Sequence, residues 1–534
     1  MTKLERADFP EQVGVDSDKF TSLLRYFEDN KMDLNSLVAV RDGKVACECY
    51  WTPNEADIPH DMYSLSKSIT ATAVGIALDE GIISLDTKVF QKYFPSKLRS
   101  LKGKQREWAE KVTIHDVLAM RLGKVVALLD DKEKTDWIDA LLDKKSKFAP
   151  GDGWKYVSEN DHLLSYIIQK ETGLSLTEFL TPRLYEPLGM KVPHWDKSRY
   201  GVDAGGWGLK LTAEDLSKIA VLYLNKGVYN GQRIFSEEWY EMATVPYSPP
   251  EQVYPSFLRG TEYGYQIWID HENNDKTIRF TGLFGQHMFM FPDYNAAIII
   301  TASDTHEGQF IHTVYEYFPK GFIEKEDKPR ANFEQFKAEL ASKKIECNFK
   351  NPVGRNTAVE KRINNRLIKV IPTKNLSTQG ISTFFMWSKK IGYLNELKFD
   401  FSENSVAFSF KEKACERCTI NIGLDGKFIR NELHMSDNDI IVDAQGTWNK
   451  DGSLEILLYS TGRPHCERFT FKFHDKYVTV RTKCQPAFAE IARFNMEFTM
   501  GMKVGKVIKG ALNIGCPIFE DVYADPNTVG VFVD

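Results

Sequence analysis

The segment "YSLSKSITATAVGIALDEGIISLDTKV", residues 63–89, holds a serine, Ser64, three positions before a lysine, Lys67. From Ser64 to about Glu80 the apolar residues Leu65, Ile69, Ala73, Ile76 and Ala77 follow helical spacing, and Gly81 supplies a stop. Three residues apart on a helix places both polar side chains on one face, within reach of each other. A serine hydroxyl is a poor nucleophile until a base takes its proton. A lysine can be that base only where burial or nearby cations lower its pKa. Alone the pair is weak, because a chain this long holds roughly two S-x-x-K matches by chance, and a solvated helix start explains it equally well. The flanking sequence has to decide.

Upstream, "SLVAVRDGKVACECYW" (36–51) alternates β-branched residues around Asp42 and Gly43, the pattern of a hairpin entering a sheet. Downstream, residues 113–225 read as mostly helical. "NDHLLSYIIQKETG" (160–173) and "TAEDLSKIAVLYLNKG" (212–227) each carry an apolar face and end at glycine, the second with Thr212 placed as N-cap. "YGYQIWI", "TIRFTG", "QHMFMFP" and "AAIIITAS" return the pattern to strands by residue 303. Strands, then helices, then strands predict an α+β fold.

A charged run through 324–344 marks a change of composition. Beyond it "ELKFDFSENSVAFSF", "WNKDGSLEILLY" and "RFTFKFHDKYVTVRT" are alternating strands joined by polar turns, which predicts an antiparallel barrel or sandwich. The expected division is a first domain over 1–323, a linker or solvated helix over 324–350, and a β-rich accessory domain over 351–534.

Composition narrows the partners. At 534 residues and 42% hydrophobic the chain is too long for one core. A net charge of −5 and the lack of a long basic run give no footprint for nucleic acid or anionic lipid. No window approaches about 18 uninterrupted apolar residues, so no membrane span is expected. Eight cysteines, sparse and irregular, suit reduced thiols in a cytoplasm. Cys415 and Cys418 form "CERC", but no second CxxC follows, and His465 with Cys466 is a weak complement, so no metal site is assigned.

Four segments together are similar to one family. The Ser64 segment is followed by "GDGWKYVSENDHLLSYIIQKETGLSLTEFLTPRLYEPLGM" (151–190), with Tyr156 and Ser158 in a Tyr-x-Ser element. Then come "GGWGLKLTAEDLSKIAVLYLNKGVYNGQRIFSEEW" (205–239) and "FTGLFGQHMFMFPDYNAAIIITAS" (280–303). Over roughly residues 10–320 the chain resembles the serine β-lactamase and penicillin-binding-protein-like hydrolases. The likeness is to the class C type and to its esterase, D-amino-acid peptidase and 6-aminohexanoate-dimer hydrolase relatives. It implies an antiparallel sheet flanked by helices with an all-helical lobe.

The resemblance further implies Ser64 as nucleophile, with Lys67 and Tyr156 as general base and acid. Ser158, Gly282 and Leu283 would serve substrate binding and the oxyanion, the Leu283 amide joining that of Ser64. No cofactor is implied. The substrate would be a small ester, amide or short peptide, with the oligomeric state open. Two departures stand out. Phe280 replaces the lysine of the third motif, which disfavours substrates held by a carboxylate unless a shift of register brings Arg279 to that place. "LAMRLG" (118–123) replaces a loop segment near the site entrance. Other readings stay open: a catalytically silent binding protein, a β-lactamase or DD-peptidase proper, or a C-terminal domain that does the binding work.

Overall fold

The computed structural model describes residues 2–124, 136–248, 261–272, 275–371, 394–412, 417–435, 438–487 and 527–533. The chain divides into two compact units, Met1–Lys343 and Lys344–Asp534.

In the first unit β1 (Leu34–Arg41) and β2 (Lys44–Tyr50) form the expected hairpin. Asp42 and Gly43 at its tip take φ of 52° and 76°, the left-handed pair that fits a two-residue turn to the strand twist. They are joined by β3 (Glu262–Tyr263), β4 (Trp268–Glu272), β5 (Asp275–Gly282), β6 (Gln286–Phe291) and β7 (Ala296–Ala302). Among the described residues the order is β2-β1-β7-β6-β5-β4-β3, antiparallel throughout. β6 and β7 are buried at every position, because helices cover both faces of the sheet.

The helices that matter for the site are α1 (Ser17–Asp29), α2 (Ser66–Asp79), α3 (Glu159–Thr172), α4 (Ala213–Leu224) and α5 (Glu307–Tyr317). α1 and α5 pack together on one face through Phe27 and Phe310, and Tyr315 of α5 meets Phe289 of β6. α4 covers the other face, with Tyr223 against Phe280 of β5. Thr212 caps α4 in a reciprocal box with Asp215, as its position predicts.

α2 departs from an ordinary amphipathic helix. Every residue from Ser66 to Ala77 is buried, so the Ser64–Lys67 pair does not open a solvated helix. Small side chains (Ser, Thr, Ala, Gly) line much of it and let neighbours close in on all sides. In the charged stretch after β7, helix α6 (Phe333–Ala341) buries Phe336 against Phe20 of α1 and leaves most of its other residues exposed.

The second unit is a barrel, not a sandwich. Its strands are β8 (Pro352–Gly354), β9 (Leu367–Val370), β10 (Leu394–Phe401), β11 (Ser405–Glu412), β12 (Cys418–Gly423), β13 (Ile429–Met435), β14 (Asn438–Asn449), β15 (Ser453–Ser460), β16 (Cys466–Phe473), β17 (Tyr477–Gln485) and β18 (Asn527–Val533). Among the described residues nine of them close a ring, β14-β12-β11-β10-β9-β18-β17-β16-β15 and back to β14, while β8 and β13 pair onto β14 from outside. Its interior is aromatic, with Phe399, Phe408, Phe469, Phe471 and Trp448 fully buried. Cys415 of "CERC" lies outside the described residues. Among those that are described, no helix is long and apolar enough to cross a membrane.

Candidate active site

Ser64 sits in a single 3₁₀ turn, Tyr63–Leu65, that leads into α2. The turn starts sharply: Tyr63 has φ 48°, a left-handed conformation that is rare for a bulky residue and clusters at functional sites. The chain before it is fixed by the Met62 amide, which donates to the Leu209 carbonyl at 2.8 Å. Ser64 is half-buried, and Lys67, one turn on, is 1% exposed.

Lys67 Nζ donates to Ser64 Oγ at 3.0 Å and to the Gly206 carbonyl at 2.7 Å. The Tyr156 ring centroid is 5.0 Å from the same nitrogen. Burial pushes the Lys67 ammonium down to about 8, against the opposing pull of Asp161 and Glu159. A lysine poised there gives up its proton near neutrality, which an exposed lysine does not. Tyr156 is held in turn by a ring cluster: it stacks on Trp268 at 5.9 Å and meets Tyr263 edge-on at 6.0 Å.

Ser158 directly precedes α3 and is buried. It reaches the pair through Gly206, where a Cβ would stand 2.6 Å from the Ser158 carbonyl oxygen. Gly282 ends β5, and a Cβ there would run into the Met62 carbonyl oxygen. The close approach that requires glycine at 282 is therefore made by the chain itself, two residues before Ser64. Leu283 follows in the turn to β6, whose Phe284 ring packs on Tyr63 at 5.1 Å.

The pairing of Gly282 with Gln286, Thr281 with His287 and Phe280 with Met288 fixes the register of this hairpin. Phe280 is fully buried and turned to Tyr223, 4.9 Å between ring centroids, so it forms no wall of an open cleft. Arg279 points to the opposite face, fully buried, with Nε 2.9 Å from Asp270 Oδ2.

Two neighbours of Lys67 were not visible in the sequence. Gly206 places the lysine through its backbone carbonyl. Asp161, in the first turn of α3, is fully buried, and neither carboxylate oxygen has a hydrogen-bond partner among the described residues. Among those residues no group of three or more His, Cys, Asp or Glu gathers as for a metal ion.

The chain is similar to several known proteins. The family model Beta-lactamase matches residues 29–315, more than half of the chain. The 6-aminohexanoate-dimer hydrolase of Paenarthrobacter ureafaciens is 24% identical over 305 residues, 50% of this chain and 72% of that protein. The D-aminopeptidase of Brucella anthropi is 42% identical over 48 residues, 9% of each chain. The penicillin-binding protein of Bacillus halodurans superposes with a TM-score of 0.42 at 16% identity, covering 55% of this chain and 99% of that one. With its family model matched along most of the first unit, this chain belongs to the beta-lactamase family of hydrolases.

Proposed function

We propose that the protein is a serine hydrolase that cleaves a small ester or amide through an acyl-enzyme on Ser64. The observation that carries this is the contact between Ser64 and a buried lysine whose pKa is pushed down to about 8. Lys67, as neutral amine, takes the Ser64 proton as Oγ attacks the substrate carbonyl. The Ser64 and Leu283 amides hold the oxyanion, with Gly282 fixing that edge and Ser158 facing the substrate. Tyr156 protonates the leaving group, and the same pair then activates the water that releases the acyl group. No cofactor takes part. The domain over 1–323 carries the chemistry, 324–350 is a linker or solvated helix, and the β-rich part over 351–534 is accessory. The sparse, irregularly spaced cysteines support a cytoplasmic location.

The activities named for the relatives, on an aminohexanoate dimer and on D-amino-acid substrates, support a small amide or ester as substrate. A β-lactamase or DD-peptidase proper is disfavoured, because Phe280 is buried and Arg279 is paired with Asp270. The test is labelling with a fluorophosphonate followed by peptide mass spectrometry, alongside Ser64→Ala. Label on Ser64, and loss of both label and ester hydrolysis in a folded Ser64→Ala protein, are expected. Undiminished hydrolysis by that variant would end the serine mechanism, and wild type that takes no label and turns over no ester would favour a silent binding protein.

A further inference from the structure

Behind the turn Leu283–Gly285 runs a row of buried polar side chains that the chemistry above does not use. On β4, Asp270 accepts from Arg279 Nε at 2.9 Å and from the Tyr315 hydroxyl of α5 at 2.5 Å. Arg279 Nη1 donates to Thr281 Oγ1 at 2.7 Å. Thr281 Oγ1 in turn lies within hydrogen-bond reach of His287 Nδ1, 3.3 Å away. Nε2 lies 3.1 Å from Glu307 Oε2, an electrostatic contact off the line of a hydrogen bond. The other oxygen, Glu307 Oε1, accepts the Gly285 amide at 3.0 Å. Arg279 and His287 are fully buried, and Asp270 and Glu307 nearly so.

Burying this many charged groups gains little stability over apolar packing, since desolvation offsets their attraction. What the row does supply is position. The peptide plane between Phe284 and Gly285 is gripped at both ends: the Phe284 carbonyl accepts Gln286 Nε2 at 3.1 Å and the Asp304 amide at 3.3 Å, while the Gly285 amide is held by Glu307. Phe284 has φ 64°, so the turn is strained and needs such a grip. A turn of that plane would re-aim the amides next to it.

We propose that Glu307 is a positioning residue for the reaction. With His287 against its other oxygen, it fixes the Gly285 amide and, through the turn so anchored, keeps the Leu283 amide two peptides earlier aimed at the oxyanion. The inference rests on the serine-hydrolase reading above. Oxyanion donors act by being oriented before charge develops, so a loosened turn costs transition-state binding and leaves ground-state binding largely intact.

The test compares Glu307→Ala with Glu307→Gln in the full chain, using a nitrophenyl ester and the trifluoromethyl ketone of the same acyl group. The alanine variant should lose about tenfold or more in kcat with KM little changed, and bind the ketone more weakly by a similar factor. Glutamine keeps an acceptor oxygen and should restore most of both. A folded alanine variant with unchanged kcat and ketone affinity overturns the inference even if its melting temperature falls. A glutamine variant no better than alanine overturns it too. Should the alanine variant not fold, Thr281→Val cuts the row at constant shape. A kcat loss of about threefold or more is then expected, and none overturns the proposal. Fluorophosphonate labelling keeps the two readings apart. No label on wild-type Ser64 defeats the serine mechanism, whereas labelling of Glu307→Ala at the wild-type rate defeats only the positioning role.

Discussion

The Gly206 carbonyl oxygen is 2.7 Å from Lys67 Nζ, and Gly206 has no room for a side chain because the Ser158 carbonyl stands where its Cβ would go. One glycine therefore packs against the second motif while aiming the lysine of the first. Gly206→Ala should force the loop outward and draw the lysine's acceptor with it. Overpacking of this kind costs about 1–3 kcal/mol, so the melting temperature should fall by several degrees. A displaced base should cost more in rate, about tenfold to hundredfold in kcat. Calorimetry and steady-state kinetics on the same preparation check both. Full activity in the variant would show that the carbonyl does not place the lysine.

The pH dependence follows from Lys67 and Asp161. Burial pushes the Asp161 carboxyl up to about 7, with Lys67 opposing, and holds the Lys67 ammonium at about 8, with Asp161 and Glu159 opposing. In the proposed mechanism the base acts as neutral amine, so the rate should rise with pH through about 8 and fall below it. Asp161 is ionised over that limb and makes the lysine harder to deprotonate. Asp161→Asn removes this charge, and the limb should move to lower pH, by about half a unit or more. A limb that stays in place would mean that Asp161 does not act on the base.

Lys67→Arg keeps the positive charge and loses the proton chemistry, because a guanidinium does not deprotonate near neutrality. We expect kcat to fall by about a hundredfold or more, the scale of a lost general base. Tyr156→Phe keeps the ring that stacks on Trp268 and removes only the hydroxyl. It should lower kcat with little change in KM. Activity of Lys67→Arg within a few-fold of wild type would reduce Lys67 to an electrostatic neighbour.

The parts of the site legible in the sequence are those with short, local spacing. Ser64 and Lys67 lie one helical turn apart, and Tyr156 with Ser158 is a compact element on the approach to α3. Gly206 was hidden because it meets Lys67 across 139 positions of chain, and no local pattern encodes such a contact. Asp161 looked like one of the acids that favour the first turn of a helix, and that preference is the same whether the carboxyl ends in water or under a lysine. Period-2 alternation puts Arg279 and Phe280 on opposite faces of β5 but does not say which face meets the cleft. The packing of Tyr223 and Tyr315 decides that Phe280 lines no cleft and that Arg279 is sealed behind the sheet. Barrel and sandwich strands alternate alike. Closure depends on distant pairs such as Ile368 with Phe532.

Arg279 yields the last prediction, because its buried position changes what its removal should do. A cation standing in the cleft would hold a substrate carboxylate, and its loss would selectively harm nitrocefin, which carries one. Arg279 instead faces Asp270, Thr281 and the ring of Phe289, with no exposed surface. Arg279→Ala leaves the Asp270 carboxylate buried without its charge partner, a change that costs about 3–5 kcal/mol. Removing both charges, as in Arg279→Met with Asp270→Leu, should cost less than the single change. Any loss of rate should fall on esters and nitrocefin alike, since the turn behind Leu283 is loosened for both. With Phe280 in place of the third motif's lysine, whose charge-assisted hydrogen bond would supply about 1.5–3 kcal/mol, wild type should hydrolyse short-chain nitrophenyl esters at least about tenfold more efficiently than nitrocefin by kcat/KM. Denaturant unfolding of the three proteins and kcat/KM for both substrates check these points together. Efficient nitrocefin turnover that collapses in a folded Arg279→Ala protein, with ester hydrolysis spared, would place the guanidinium in the substrate site and overturn the assignment.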